Sequence, residues 1–133
     1  MDSLENNPSF KIISTYFELA ETMADLIGDH CEIVIHSLHD LEHSVVKIVN
    51  GHLTGRKIGS PITDLGIRVV NELEKTGTYS PKAYFNVGSD GEMIKSSTCV
   101  IKNDNNEPIG LFCVNINLSL PFCDVIKSLV PDV

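Results

Sequence analysis

The residues best suited to contact a small molecule are a few polar side chains set in apolar or glycine-rich segments. They are His36, Arg56, Ser97, Asn115 and Asn117. An imidazole, a hydroxyl and two side-chain amides offer hydrogen-bond donors and acceptors, and a guanidinium adds a fixed positive charge. This combination favours recognition of a polar ligand.

Arg56 lies in the glycine-rich segment 50–59, just before a predicted helix. A carboxylate or phosphate would find there a guanidinium fork and the free backbone N–H groups of a helix start. The alternative is that Arg56 pairs with Asp64 or binds carbonyl groups of its own loop. The loop is not a P-loop, because GRKIG lacks the Gly-Lys-Ser/Thr end that holds a nucleotide's phosphates.

His36 shares a predicted strand face with Val34 and Leu38, so its surroundings are apolar. A neutral histidine that donates one ring hydrogen to a neighbour is the structural alternative to a ligand contact. His36, His39 and His43 do not form a metal motif, because their spacing crosses a strand end and a turn and does not bring the three rings together. The sequence predicts no metal site.

The four cysteines contain no C-x-x-C pair, and three of them lie in apolar, strand-like segments. They are Cys31, Cys99, Cys113 and Cys123. This pattern predicts buried, reduced thiols rather than disulfides or a zinc site. A nucleophilic Cys99 or Cys113 would need an adjacent base and a lowered pKa. Ser96-Ser97 lies outside any G-x-S-x-G elbow. We expect no catalytic residues, and without a haem or flavin motif the cofactor stays unknown.

Length and composition predict one cytoplasmic domain across residues 1–133. The net charge of −8 argues against direct binding to nucleic-acid phosphates, which requires a dense Lys/Arg patch. No apolar segment approaches the length of a membrane span, and the acidic start MDSLENN does not resemble a signal peptide.

Residues 92–118 predict a long β-hairpin at the centre of a sheet, because two β-branched, apolar arms flank the polar turn 103–108. One face of the second arm carries Phe112, Val114, Ile116 and Leu118. The other face carries Ile109, Leu111, Cys113, Asn115 and Asn117. A hairpin that is apolar on both faces is expected to be covered on both sides. Its polar stripe, Asn115 and Asn117, faces either a small cavity or neighbouring backbone.

A leading helix is predicted at about 8–27, started by Asn7 and Pro8 and stopped by Gly28. One apolar stripe consists of Ile13, Phe17, Ala20, Ala24 and Ile27. A second stripe beside it consists of Ile12, Tyr16, Leu19, Met23 and Leu26. Together they are about twice as wide as the stripe of an ordinary surface helix. The width predicts two partners, the sheet and a second copy of the chain; the alternative is deeper burial within one domain.

The remaining segments complete an α+β domain with one five-stranded antiparallel sheet and flanking helices, a PAS-like arrangement. Further strands are predicted at 31–38, 44–49 and 79–87. A helix capped by Ser60 is predicted to start at Pro61 and stop at Gly77, and a short helix is predicted at 122–130. The helical insertion between the second and third strands is expected to cover one face of the sheet and close a small pocket.

Several segments together resemble the signature of the YheO-like PAS domain family. They are Asn50-Gly51-His52, Gly55-Arg56, residues 59–65 (GSPITDL), His36, residues 95–98 (KSST), residues 109–111 (IGL) and Val114-Asn115. The resemblance extends from the first helix to Leu118. It implies a bacterial transcriptional regulator in which this PAS domain precedes a C-terminal helix-turn-helix.

Two departures from the family pattern matter. The helix-turn-helix is missing from this chain, so DNA recognition is expected to lie outside it. Asn117 stands where the family pattern suggests an aspartate, which would alter ligand preference if that position contacts a ligand. The sequence therefore predicts a homodimeric, non-enzymatic sensor domain, with a ligand-free dimerisation module as the first alternative and a small-molecule enzyme as the second.

Overall fold

The computed structural model describes residues 7–88 and 90–130. Its strands are β1 (Cys31–Ser37), β2 (Val45–Val49), β3 (Tyr84–Val87), β4 (Met93–Lys102) and β5 (Pro108–Asn117). In the described chain they form one sheet in the order β2-β1-β5-β4-β3, and every neighbouring pair is antiparallel. The predicted α+β class and antiparallel sheet are confirmed, with the β4–β5 hairpin next to β1 at its centre.

The expectation that the hairpin is covered on both faces is wrong for β4, where Met93, Lys95 and Cys99 are exposed. Helices flank the sheet on both sides. They are α1 (Pro8–Ser14), α2 (Phe17–Ile27), α3 (Asp64–Thr76) and α4 (Phe122–Leu129). Two short 3-10 turns, Leu41–His43 and Gly51–Leu53, lie in the connections. Across the described residues, no helix has both the length and the apolar character that crossing a bilayer requires.

The leading helix is two helices rather than the one predicted over 8–27. The hydroxyls of Ser14 and Thr15 donate to the carbonyls three residues earlier, at 2.8 and 2.6 Å. Such local bonds compete with the regular helical pattern and interrupt it before Tyr16. The predicted ends are confirmed: Asn7 caps α1 by accepting from a backbone N–H, and α2 stops at Gly28, whose φ is 116°.

The helix after the glycine-rich loop starts later than predicted. Thr63, not Ser60, caps α3 by accepting a hydrogen bond from the backbone N–H of Gly66 at 3.0 Å. Ser60 is held in the loop, because its hydroxyl accepts from Lys57 N and its carbonyl accepts from Val45 N. The predicted stop at Gly77 is confirmed by its left-handed φ of 74°.

The two faces of the sheet pack different sets of side chains. The apolar face lies under α1 and α2 and includes Cys31, Ile33, Ile35 and Phe112. The opposite side, which we call the polar face, lies under α3 and the 50–63 loop. It carries a second apolar cluster, which includes Val34, Leu73 and Leu111, and beside it the polar side chains Glu32, Ser96, Thr98 and Asn115. Residues alternate between the faces along each strand, so the two compositions come from interleaved positions of the same strands.

Two predictions near the sheet are corrected. Ile109 was expected beside Leu111, but it packs in the cluster of the apolar face. The ladder between β4 and β5 shifts register between Ile101 and Lys102, opposite this position, so the simple alternation breaks there. The third strand begins at Tyr84 rather than at residue 79.

Candidate functional site

A row of hydrogen-bonded polar side chains crosses the polar face of the sheet. Glu32 of β1 lies directly opposite Asn115 of β5, which lies opposite Ser96 of β4, and Tyr84 of β3 follows next in register. Asn115 Nδ2 donates to Glu32 Oε1 at 2.9 Å, and Ser96 Oγ donates to Asn115 Oδ1 at 2.6 Å. Three strands are therefore joined by side chains as well as by backbone.

Glu32 ties this row to the glycine-rich loop. Its side chain is fully buried, with 0% exposure. The second carboxylate oxygen accepts from the Thr54 backbone N–H at 3.1 Å and from the Thr54 hydroxyl at 2.6 Å. Within the described residues Glu32 has no cationic partner, so three hydrogen bonds replace the water that a buried carboxylate gives up.

A cavity of about 60 Å³ lies over this row. Its floor includes Ser96, Thr98 and Asn115, and the rest of its wall includes Asn86 of β3 and the start of α3. The space holds about four water-sized groups, at roughly 15 Å³ each. It shares Asn86 and Arg56 with an open groove of about 470 Å³ at the surface. The cavity therefore has a polar interior and a mouth beside Arg56.

Arg56 is a half-buried cation at that mouth. Within the described chain its guanidinium forms no ion pair or side-chain hydrogen bond, so the alternative of an internal pair with Asp64 is not formed. Its positive charge contributes to lowering the pKa of His36, after the larger effect of burial. Arg56 thus offers five N–H donors to a ligand at the cavity mouth.

His36 lies on the polar face but does not line the cavity. Its ring is 1% exposed, and Nδ1 lies 2.8 Å from the Ser44 hydroxyl. Burial, with a contribution from the charge of Arg56, lowers the pKa of His36 to about 4, so the ring is neutral at neutral pH. This geometry matches the structural alternative for a buried histidine.

The remaining predicted ligand residues, Ser97 and Asn117, lie away from the cavity. Ser97 pairs with Val114 and projects to the apolar face, so the adjacent Ser96 takes the place expected for it. Asn117 lies at the end of β5, where Nδ2 donates to Glu92 at 2.6 Å and Oδ1 accepts from the Ser119 N–H. Of the five predicted residues, the structure brings only Arg56 and Asn115 together at the cavity.

Sequence reasoning missed Glu32, Thr54 and Ser96 as parts of the site. Glu32 could have been identified from the sequence, since it is the single carboxylate in the largely apolar strand CEIVIHS. A carboxylate in a strand covered on both faces requires hydrogen-bond partners. Its partner Thr54 lies 22 residues away, and only the fold brings the two together.

The prediction that the cysteines are buried is confirmed for two of them and wrong for the other two. Cys31 and Cys113 are buried as predicted, but Cys99 and Cys123 are exposed. Burial raises the pKa of Cys113 to about 11, so its thiol is protonated at neutral pH and is a poor nucleophile.

No group of three metal-binding side chains converges among the described residues. The histidines that follow the first strand have separate partners. His39 Nδ1 lies 3.3 Å from the Asn7 amide, and His43 Nδ1 lies 3.1 Å from the Asp40 carboxylate.

The second stripe of the leading segment divides into two groups. Leu19 and Leu26, both in α2, are 48% and 75% exposed. Ile12, Tyr16 and Met23 are half-buried and pack against the cluster of the apolar face. The ring of Tyr16, for example, lies 6.2 Å from that of Phe112.

Sequence relatives cover most of this chain. The family model described as YheO-like PAS domain matches residues 6–131. The uncharacterised protein YheO of Escherichia coli strain K12 is 42% identical over 135 residues, covering 98% of this chain and 56% of YheO. The transcriptional regulator DauR of Pseudomonas aeruginosa is 27% identical over 110 residues, covering 81% of this chain and 48% of DauR. The chain therefore spans about half the length of the curated relatives it matches.

Solved structures confirm the PAS-like fold. The PAS domain of the fruit-fly ELK potassium channel matches with a TM-score of 0.50 at 11% identity, covering 86% of this chain and 100% of that domain. A light-oxygen-voltage domain studied with a flavin analogue also gives 0.50, at 14% identity, covering 84% of this chain and 90% of that one. At these identities the likeness concerns the fold alone.

Proposed function

This chain belongs to the YheO-like PAS domain family, and we propose that it is the sensory and dimerising domain of a bacterial transcriptional regulator. A small molecule binds in the cavity of the polar face and favours one arrangement of a homodimer. A DNA-binding domain elsewhere in the full protein responds to that arrangement. The similarity to DauR supports the regulatory part of this proposal, and such a regulator would act in the cytoplasm.

The observation that carries the sensor proposal is the polar cavity itself. Its floor is built from buried hydroxyl and amide groups, which are costly to place in a core and do not improve its packing. The same strands build a largely apolar core on their other face, so a polar core is not a requirement of this sheet. A cation without an internal partner at the mouth, Arg56, adds a second feature suited to a ligand.

The dimer proposal rests on α2. Its inner side packs on the sheet through Ala20 and Ala24, which are buried. Leu19 and Leu26 remain exposed on the same helix, and a second copy of the chain would cover them. Because α2 packs directly on β1, a change within the sheet would reach this surface through direct contacts. DNA recognition is assigned to a separate domain, since this chain carries a net charge of −8.

A ligand-free dimerisation module is the second candidate, and two observations favour it. The cavity is far smaller than the roughly 300–1,000 Å³ typical of small-molecule pockets. The buried polar side chains of the described residues also all have hydrogen-bond partners already. A catalytic role is the weakest candidate, because the buried thiol Cys113 is protonated at neutral pH.

Thermal unfolding in the presence of a metabolite library tests the sensor proposal. A ligand that binds only the folded state must raise the melting temperature in a concentration-dependent way. Thr98→Ile fills the cavity floor with a β-branched apolar side chain and is expected to abolish that response. Ser97→Ile makes the same kind of change one residue earlier on the opposite face, and this variant should respond like the wild type.

The result separates the candidates. Stabilisation of the wild type and of Ser97→Ile, but not of Thr98→Ile, supports a sensor that uses this cavity. A dimer that responds to no compound in the library points to the ligand-free module. Stabilisation that survives Thr98→Ile places the ligand elsewhere and overturns the assignment of the cavity.

A further inference from the structure

We propose that the cavity ligand is a small organic carboxylate, bound through its carboxylate group by Arg56 at the mouth and through a neutral polar tail at Ser96 and Asn115. This inference rests on the proposed sensor function and names the chemical class that the site takes. Small hydroxy acids and oxo acids have this combination of groups.

The charges around the cavity select an anion. Among the described residues that line the cavity and its groove, Arg56 is the only cation. None of the described carboxylates lines the cavity itself, so a cationic ligand would find no counter-ion among these residues. Glu32 lies behind the floor, and both of its oxygens already accept hydrogen bonds. A guanidinium without an internal partner is satisfied best by an anion with two parallel acceptor oxygens.

Size and neighbouring charge favour a carboxylate over a phosphate. The cavity accommodates about four water-sized groups, so a ligand of a few heavy atoms fills it. The groove outside is lined by Asp64 as well as by Arg56. A phosphate carries up to two negative charges near neutral pH and would meet stronger repulsion from Asp64 than a singly charged carboxylate would.

The inner wall is suited to a neutral polar tail. Asn86 Nδ2 lies 3.4 Å from Ser96 Oγ, and the Tyr84 hydroxyl lies 3.5 Å from Thr98 Oγ1. Bonds of this length are weak, so a ligand hydroxyl or carbonyl can replace them at little cost. These hydroxyl and amide groups can both donate and accept, which suits a hydroxy acid or an oxo acid.

One hydrogen-bond network connects the two ends of the proposed ligand. Ser96 and Asn115, at the tail end, continue through Glu32 to Thr54. Thr54 precedes Arg56 by two residues in the same loop, so Glu32 acts as a positioning residue for the guanidinium. A ligand that engages Asn115 and Arg56 together therefore braces the loop against the sheet.

Calorimetric titration with lactate, pyruvate and lactamide tests the inference on the chain as it stands. Lactamide matches lactate in shape but lacks the negative charge. Lactate or pyruvate is expected to bind and to raise the melting temperature, and lactamide is expected to do neither. Arg56→Gln should weaken lactate binding by roughly tenfold or more, because it removes the charged donors. Arg68→Gln, a change at an exposed position of α3, should leave binding unchanged.

Alanine tests the neutral tail, since it replaces the hydroxyl of lactate with an ammonium group. Weaker binding than lactate is expected, because no carboxylate from the described part of the chain lines the cavity to pair with that ammonium group. Tighter binding of alanine would overturn the neutral-tail assignment. If Arg56→Gln does not fold, the comparison of lactate with lactamide on the wild type decides the question of charge.

The inference and the sensor proposal fail in different ways. A neutral or cationic ligand whose effect is lost in Thr98→Ile but kept in Arg56→Gln would overturn the carboxylate and leave the sensor intact. Equal binding of lactate and lactamide would also overturn the carboxylate. The absence of any stabilising compound, in the library or among these probes, would overturn both.

Discussion

The two faces of one sheet differ in composition, although the same strands build both. One is almost entirely apolar, and the other combines a second apolar cluster with buried polar side chains. On β1, Ile33 and Ile35 point to the apolar face and are fully buried, while Glu32 and His36 point to the polar face and are buried equally well. The apolar face gains roughly 1.5–3 kcal/mol for each large side chain it buries. A buried hydrogen bond on the polar face gains only about 0.5–1.5 kcal/mol net.

The difference teaches where stability and recognition are located. On the apolar face, the buried side chains of the sheet pack with those of α1 and α2 in one apolar cluster. The polar face gives up part of that stabilisation and retains hydrogen-bonding groups around an internal space. Substitutions on the two faces should therefore have different effects. A substitution on the apolar face should lower mainly the stability, and one on the polar face should also weaken ligand binding.

The largest expected loss of stability comes from the apolar face. Ile33→Ala should lower the free energy of unfolding by about 2–5 kcal/mol, since it leaves a hole in a packed core. Urea denaturation measures the change. The affinity for a cavity ligand should stay the same in the folded fraction. A loss of affinity at conditions where Ile33→Ala is fully folded would contradict the separation of the two faces.

The next largest effect is a pH dependence contributed by His36. Its pKa is about 4 in the folded chain against 6.5 when unfolded, so the unfolded chain binds the proton first. The contribution of His36 to stability is complete above pH 6.5 and declines as the pH falls towards 4, by about 3 kcal/mol in total. Unfolding free energies of the wild type and His36→Gln, measured across this range, should differ in slope. The variant of the exposed His52, His52→Gln, should keep the wild-type slope.

A smaller loss is expected at the polar row. Glu32→Gln keeps the shape of the side chain, but turns an amide N–H₂ towards the donors of Thr54 or Asn115. We expect a loss of about 1–3 kcal/mol in unfolding free energy. We also expect weaker ligand binding, because the loop that carries Arg56 loses its anchor. The exposed Glu72→Gln should change stability by less than about 0.5 kcal/mol. If Glu32→Gln matches this control in both stability and ligand binding, Glu32 does not position Arg56.

The smallest effect on stability, with the largest on assembly, is expected at α2. Leu26→Glu changes an exposed side chain, so the unfolding free energy of the monomer should move by less than about 0.5 kcal/mol, apart from the stabilisation that dimerisation itself supplies. Analytical ultracentrifugation should show that the proposed dimer becomes a monomer. Ile58→Glu alters another exposed apolar residue, in the 50–63 loop, and should stay dimeric. A dimer unaffected by Leu26→Glu and Leu19→Glu would remove this interface from the account.

The sequence was sufficient to predict the sheet, but not to predict which side chains meet at the cavity. Two β-branched, apolar arms and the polar turn between them predicted the β4–β5 hairpin, because strand and turn preferences are local properties of the sequence. Whether Ser96 or Ser97 faces the cavity depends on the register of β4 against β5, which the shift at residues 101–102 helps to set. The partnership of Glu32 with Thr54 and Asn115 joins positions far apart in sequence. No local pattern contains either fact.

The central claim is that the polar face, and not the apolar face, holds the ligand. The most direct test is a crystal structure of the chain with the metabolite that stabilises it most. We predict electron density in the cavity, within hydrogen-bond distance of Ser96 or Asn115 and beside Arg56. Density on the α1–α2 side of the sheet, or in a surface groove with the cavity unchanged, would contradict the account.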